Sequence, residues 1–153
     1  MQQQKRYYLI GEPSSKDYRK FLSLAFSNSD FFSVSTFKSV RKKDLSDHYL
    51  SFLDEISRDE VDVYSFKHLP QHYERGQQIH VYSINEHTRK VIESADVERL
   101  YDWLIPLLPE DLSFFKGKRV WFNSISHTKL SIAYTNDKML LCELSKFFSI
   151  REG

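Results

Sequence analysis

Leu112-Ser113-Phe114-Phe115-Lys116-Gly117-Lys118-Arg119-Val120-Trp121-Phe122 sets two apolar, aromatic runs on either side of a basic turn that contains glycine. The pattern predicts a β-hairpin, with strands over residues 112–115 and 120–122. Downstream, Leu130, Ile132 and Tyr134 alternate with Ser131 and Ala133, so a further strand follows. Upstream, residues 31–37 alternate serines with Phe32 and Val34 and are rich in β-formers. Residues 61–66 and 78–84 read as two more strands, separated by a polar loop containing Pro70 and Gly76. Residues 7–10 form a short apolar run that ends at Gly11-Glu12-Pro13, a strand and a turn.

Helical stripes lie between and after these strands. Tyr18, Phe21, Leu22 and Ala25 recur at helical spacing behind Ser14 or Ser15 as cap. Leu45, Tyr49, Phe52, Leu53 and Ile56 make a second stripe. Asn85 caps a stretch carrying Val91 and Ile92, and Val97, Leu100, Tyr101 and Leu104 read as a separate helix stopped by Pro106 and Pro109. Asn136 caps a closing helix with Met139, Leu140, Leu144 and Phe147. The expected fold is α+β: one domain over residues 1–153, a mostly antiparallel sheet of about 5–7 strands covered by about four helices. The expected core is Tyr18, Phe21, Leu22, Phe52, Leu53, Leu100, Leu104, Trp121, Leu144 and Phe147.

A chain of 153 residues with 12 Phe, 9 Tyr and 2 Trp can bury a sizeable core without a metal or disulfide. Cys142 is the one cysteine, so an intramolecular disulfide is excluded. The net charge of +1 lacks the basic excess of a general nucleic-acid coat protein. The opening Met1-Gln2-Gln3-Gln4-Lys5-Arg6 has no apolar run or cleavage site of a signal peptide, and no stretch of roughly 18 apolar residues would span a membrane. These features point to a cytoplasmic protein without membrane attachment.

Leu108-Pro109-Glu110-Asp111-Leu112-Ser113-Phe114-Phe115, Trp121-Phe122, Ser126-His127 and Tyr134-Thr135-Asn136-Asp137 resemble a family of small proteins from Bacillus-like bacteria labelled as stage III sporulation proteins. The resemblance implies a compact cytosolic domain and brings no catalytic residue with it.

Several residues invite a chemical reading. His68 and His72, with Glu74 following, have the spacing of zinc ligands on a helix, but Pro70 between them favours a polar loop, so no metal is expected. Cys142 with His127 is a nucleophile–base combination; the apolar neighbours Leu140, Leu141 and Leu144 predict instead a buried, inert thiol. Ser126-His127 follows a strand end without the glycine-flanked elbow of a serine hydrolase. Gly11-Glu12-Pro13-Ser14-Ser15-Lys16 lacks the second glycine of a phosphate loop. No catalytic residue and no cofactor are therefore assigned.

Asp54, Glu55, Asp59, Glu60 and Asp62 fall within nine residues. They are read as partner-binding, an acidic surface for a basic protein. The function expected on that basis is that of an immunity protein or antitoxin, whose basic toxin would be the partner. The alternative is a small nucleic-acid regulator. It would use the basic turns at residues 38–43 and 116–119, with Phe37, Phe114, Phe115 and Trp121 as stacking rings.

Overall fold

The computed structural model describes residues 4–70 and 76–153. Its strands are β1 (Arg6–Ile10), β2 (Phe31–Phe37), β3 (Glu60–Val61), β4 (Gln77–Ser83), β5 (Glu110–Lys116), β6 (Arg119–Ile125), β7 (Leu130–Tyr134) and β8 (Ser149–Glu152). Its helices are α1 (Tyr18–Ser27), α2 (Asp47–Ile56), α3 (Glu86–Ser94) and α4 (Lys138–Leu144). The strands form one 8-stranded sheet in the order β3-β4-β2-β5-β6-β7-β1-β8, and each adjacent pair is antiparallel. The fold is α+β, with one strand more than the upper end expected from the sequence. The extra strand is β8, which pairs with β1.

The β5–β6 hairpin closes on the pair Lys116↔Arg119, and Gly117 takes φ +57°, the left-handed backbone that a two-residue hairpin turn requires. Asp30 fixes the tip: its carboxylate accepts a 2.7 Å hydrogen bond from the Gly117 amide. Register then slips by one residue, from Phe114↔Phe122 to Phe115↔Val120, which inserts Trp121 as a bulge. The hairpin aromatics are all buried: Phe114, Trp121 and Phe122 join one cluster and Phe115 the other.

Both faces of the sheet centre are covered. On one face Phe32, Val34, Phe114 and Phe122 meet the helices. Phe21 of α1 is the hub there, with ring centroids 5.1 Å from Phe122 and 5.7 Å from Phe148. On the other face Phe31, Val81, Phe115 and Val120 lie under Phe66 and Leu69. Lys118 caps that second cluster, its ammonium 4.4 Å from the Phe66 ring centre.

Some local expectations need correction. Of the expected 61–66 strand only Val61 pairs with β4, together with Glu60 before it. The Asp62 carboxylate accepts a 3.0 Å hydrogen bond from the Tyr64 amide, and this local turn bends Val63–Ser65 into a 3-10 helix. Residues 97–104 are not a regular helix. They carry one 3-10 turn, Leu100–Asp102, which rotates Trp103 fully into the core and leaves Leu104 half-buried. Of the expected core, Leu53, Leu104 and Phe147 are half-buried and the other seven are buried. Asp137, not Asn136, caps α4. Cys142 faces solvent, because the buried stripe of α4 is Leu140 and Leu144. Asp17 stands at the N-cap of α1 without a side-chain bond, and Ser14 accepts from the Asp17 amide one turn earlier.

Candidate functional site

Two capped helices build the most developed surface feature. Ser46 starts α2: its hydroxyl accepts from the Tyr49 amide at 3.0 Å and donates to the Leu107 carbonyl at 2.9 Å. That double role ties the helix start to the chain leading into β5. Asn85 and Thr88 form a reciprocal capping box at the start of α3. Tyr49, Phe52 and Ile56 bury the inner side of α2, while His48, Ser51, Phe52 and Glu55 make an adjoining stripe at helical spacing. On α3 the matching stripe is His87, Lys90, Val91 and Ser94. The two stripes line a groove of about 440 Å³, completed by Ala95, Asp96 and Leu108.

Phe52, Val91 and Leu108 give the groove an apolar floor, and charged groups stand around it. At one end His48 Nε2 lies 3.7 Å from Asp96. At the other, His87 stands between two carboxylates, with Nδ1 3.0 Å from Asp59 and Nε2 3.7 Å from Glu55. Lys90 reaches back along its own helix to Glu86 at 3.2 Å.

The five acidic residues do not form one surface. Asp54, Glu55, Glu60 and Asp62 are exposed. Asp59 is only 14% exposed and accepts from Asn85 Nδ2 at 2.8 Å and from His87 Nδ1 at 3.0 Å. Its role is to hold α3 and His87 in place. Glu60 meets His80 Nδ1 at 3.1 Å, and Asp62 is spent locally as the cap described above. Partial burial pushes the Asp59 pKa up, but the hydrogen bonds from Asn85 and His87, helped by the nearby charges of His87 and Arg58, outweigh it and hold it below the ordinary carboxylate value.

Because that folded value is depressed, the stabilisation from Asp59 is complete above the ordinary carboxylate range. It is lost as pH falls through the lower, folded value. Asp59→Asn should therefore flatten the acid limb of the stability profile, measured as denaturant midpoints stepped between about pH 5 and pH 2. An acid limb as steep as wild type would show that the carboxylate charge plays no part.

Two further clusters come from residues that the sequence reading did not join. Thr36 Oγ1 lies 2.9 Å from His80 Nε2, and His80 Nδ1 reaches Glu60, so hydroxyl, imidazole and carboxylate form a line across β2, β4 and β3. Each comes from a neighbouring strand, and the line works as a cross-strand latch. Glu110, 3% exposed, holds His127 Nε2 at 2.8 Å and accepts from the Ile105 amide at 3.2 Å. Next to it Asp111 takes φ +61°, and its Oδ1 accepts from the Ser126 amide at 2.8 Å. Ser126 and His127 thus anchor the β6–β7 turn to the start of β5.

His68 is half-buried with its ring edge against Tyr134, 4.7 Å between centroids; His72 and Glu74 lie outside the described residues. Among the described residues no group of three or more His, Cys, Asp or Glu is placed to hold a metal ion. The two basic turns sit at opposite ends of β2: Phe31 pairs with Phe115 beside the 116–119 turn, whereas the 38–43 segment follows Phe37. Phe114, Phe115 and Trp121 are buried, which leaves only Phe37 of the proposed stacking rings near the surface. No helix among the described residues is long and apolar enough to cross a membrane. No family model, curated protein or solved structure matches the chain.

Proposed function

We propose that this protein is a binding module of the immunity-protein or antitoxin type, which holds a basic protein partner on the edge formed by α2, β3 and the 3-10 turn after it. The observation that carries the reading is Tyr64. It is 93% exposed and stands two residues from Asp62 and four from Glu60. Tyrosine is enriched among the residues that anchor protein interfaces, and here the exposed carboxylates of Glu60 and Asp62 precede it in the chain. Asp54 and Glu55 extend the acidic rim along α2. Rim carboxylates of this kind speed the encounter with a cationic surface, and the tyrosine adds contact area that holds it.

The test uses the partner captured from the source cells and then purified. Its on-rate should fall steeply as salt rises from about 0.05 to 0.5 M. Replacing Asp54, Glu55, Glu60 and Asp62 together by Ser should lower that on-rate by roughly tenfold or more at low salt, with Asp59 kept because it is half-buried and bonds inward to Asn85 and His87. Tyr64→Ala should weaken the equilibrium by a further factor of about 30, through faster dissociation and without loss of thermal stability. Unchanged rates in both folded variants would place the interface elsewhere.

A further inference from the structure

Tyr64 lies on a strap of chain that is pinned on both sides. Before it, Glu60 and Val61 pair with β4, and the Glu60 carboxylate meets His80 Nδ1 at 3.1 Å. After it, the Lys67 amide donates to the Lys118 carbonyl, and the His68 carbonyl accepts from the Val120 amide, each at 3.0 Å. These two bonds lay the strap against the start of β6. Phe66 is 8% exposed, its ring nearly perpendicular to Phe31 and Phe115 with centroids 5.0 and 5.2 Å away. Between the pins, local bonds close the turn: the Tyr64 amide donates to Asp62 Oδ1 at 3.0 Å, and Ser65 Oγ donates to the Asp62 carbonyl at 2.8 Å. One side chain of the β5–β6 hairpin reaches into this turn. Lys118 Nζ donates to Ser65 Oγ at 3.3 Å and lies 4.4 Å from the Phe66 ring centre and 5.0 Å from that of Phe31.

We infer that Lys118 is a positioning residue, which fixes the turn that presents Tyr64 before a partner arrives; the inference rests on the reading of Tyr64 as an anchor given above. A short surface turn belongs to the less stable end of a fold. A partner that needs the turn formed binds with an affinity reduced by the fraction of molecules in which it is formed. Lys118 raises that fraction through contacts made in the free protein, where its ammonium joins the hydroxyl of the turn to two aromatic rings. The sign of its charge separates this role from electrostatics. A cation beside Glu60 and Asp62 opposes a cationic partner, so by charge alone Lys118 would hinder binding. By positioning the turn it helps.

The experiment measures amide hydrogen exchange by ¹⁵N NMR in the wild type, in Lys118→Ala and in Lys118→Arg, which keeps a cation over the rings. In the alanine variant the amides of Tyr64, Ser65 and Phe66 should exchange roughly three- to fivefold faster, while those of the central strand β2 keep their rates. The arginine variant should exchange as the wild type does. Against the partner purified in the test above, Lys118→Ala should raise the Kd about threefold and Lys118→Arg should leave it unchanged. Wild-type exchange in the alanine variant, or a tighter complex, would overturn the proposal. If exchange quickens and Tyr64→Ala weakens the complex while Lys118→Ala leaves it as strong, the proposal fails and the binding reading stands. If exchange quickens while neither Tyr64→Ala nor the fourfold acidic variant changes the rates with the partner, the binding reading fails and Lys118 stands as the residue that holds the turn.

Discussion

Trp103→Ala is expected to lower stability by about 3–5 kcal/mol, the largest effect of any single truncation in this chain. Trp103 is the largest fully buried side chain. Its ring edge meets Phe52 of α2 at 5.1 Å, and its Nε1 donates a 2.9 Å hydrogen bond to the Tyr18 hydroxyl of α1. The indole therefore joins two helices to one core. Its removal would open a cavity and leave a buried hydroxyl without its donor, and the two penalties add. Domains of this size are stable by about 5–15 kcal/mol, so the variant would keep a fraction of its stability or none. Trp103→Phe keeps much of the volume and loses the N–H, and should cost about 1–3 kcal/mol. Urea unfolding followed by circular dichroism measures both, since tryptophan fluorescence changes with the substitution itself. A midpoint close to wild type in the alanine variant would mean that the helices are not joined through this ring.

Trp103 also shows where the sequence was hard to read. The spacing of Val97, Leu100, Tyr101 and Leu104 fits a helix, and on a helix Trp103 would lie off the apolar stripe. In the fold Asp102 accepts from the Glu98 and Arg99 amides, which closes a short capped turn and redirects the residue after it. A capping carboxylate overrides periodicity in the same way at Asp62. Where no such local bond intervenes, the period decides correctly: the stripes of α1 and α2, the alternation of β2 and β7, and the hairpin at Gly117 are all as the sequence indicates. β8 was missed because Ser149-Ile150-Arg151-Glu152 is polar. It lies at a sheet edge, where one face and one row of backbone groups remain in water and burial leaves no mark on composition.

The groove was hidden for a different reason. Its walls are read at helical spacing like any core stripe, but their residues are His48, Ser51, Glu55, His87, Lys90 and Ser94, and a search for apolar periodicity passes over them. The acidic run contributes Glu55 to the groove and Asp59 to the contact behind it. It could not separate Asp59, which bonds inward to α3, from Glu55 four residues earlier, which lines the groove. That separation depends on Asn85 and His87, about 30 residues away, and contacts across such a distance leave no local pattern.

The fold should also fail in alkali, before pH 12, as a single cooperative event. Burial pushes the phenols of Tyr18, Tyr49 and Tyr101 up to about 12, and that of Tyr82 higher still. At Tyr18 the Trp103 bond opposes burial in part, at Tyr101 the Ser131 bond does so, and at Tyr49 and Tyr82 the carboxylates of Glu110 and Glu60 add to it. A raised folded pKa means that the native state holds protons which the unfolded chain releases from about pH 10. The stabilisation is whole below that value and is lost as pH climbs towards the folded one. Each unit of difference corresponds to about 1.4 kcal/mol. Four buried phenols lose this stabilisation over the same pH range, so their effects reinforce one another. Absorbance at 295 nm should rise in a steep step that coincides with the loss of circular dichroism. Tyr82→Phe keeps the ring stacked on Phe32, 5.2 Å between centroids, and removes one ionising group, so it should move the steep step to higher pH. One shallow titration near pH 10 covering all 9 tyrosines, with the dichroism intact beyond it, would show that the four phenols reach water without unfolding.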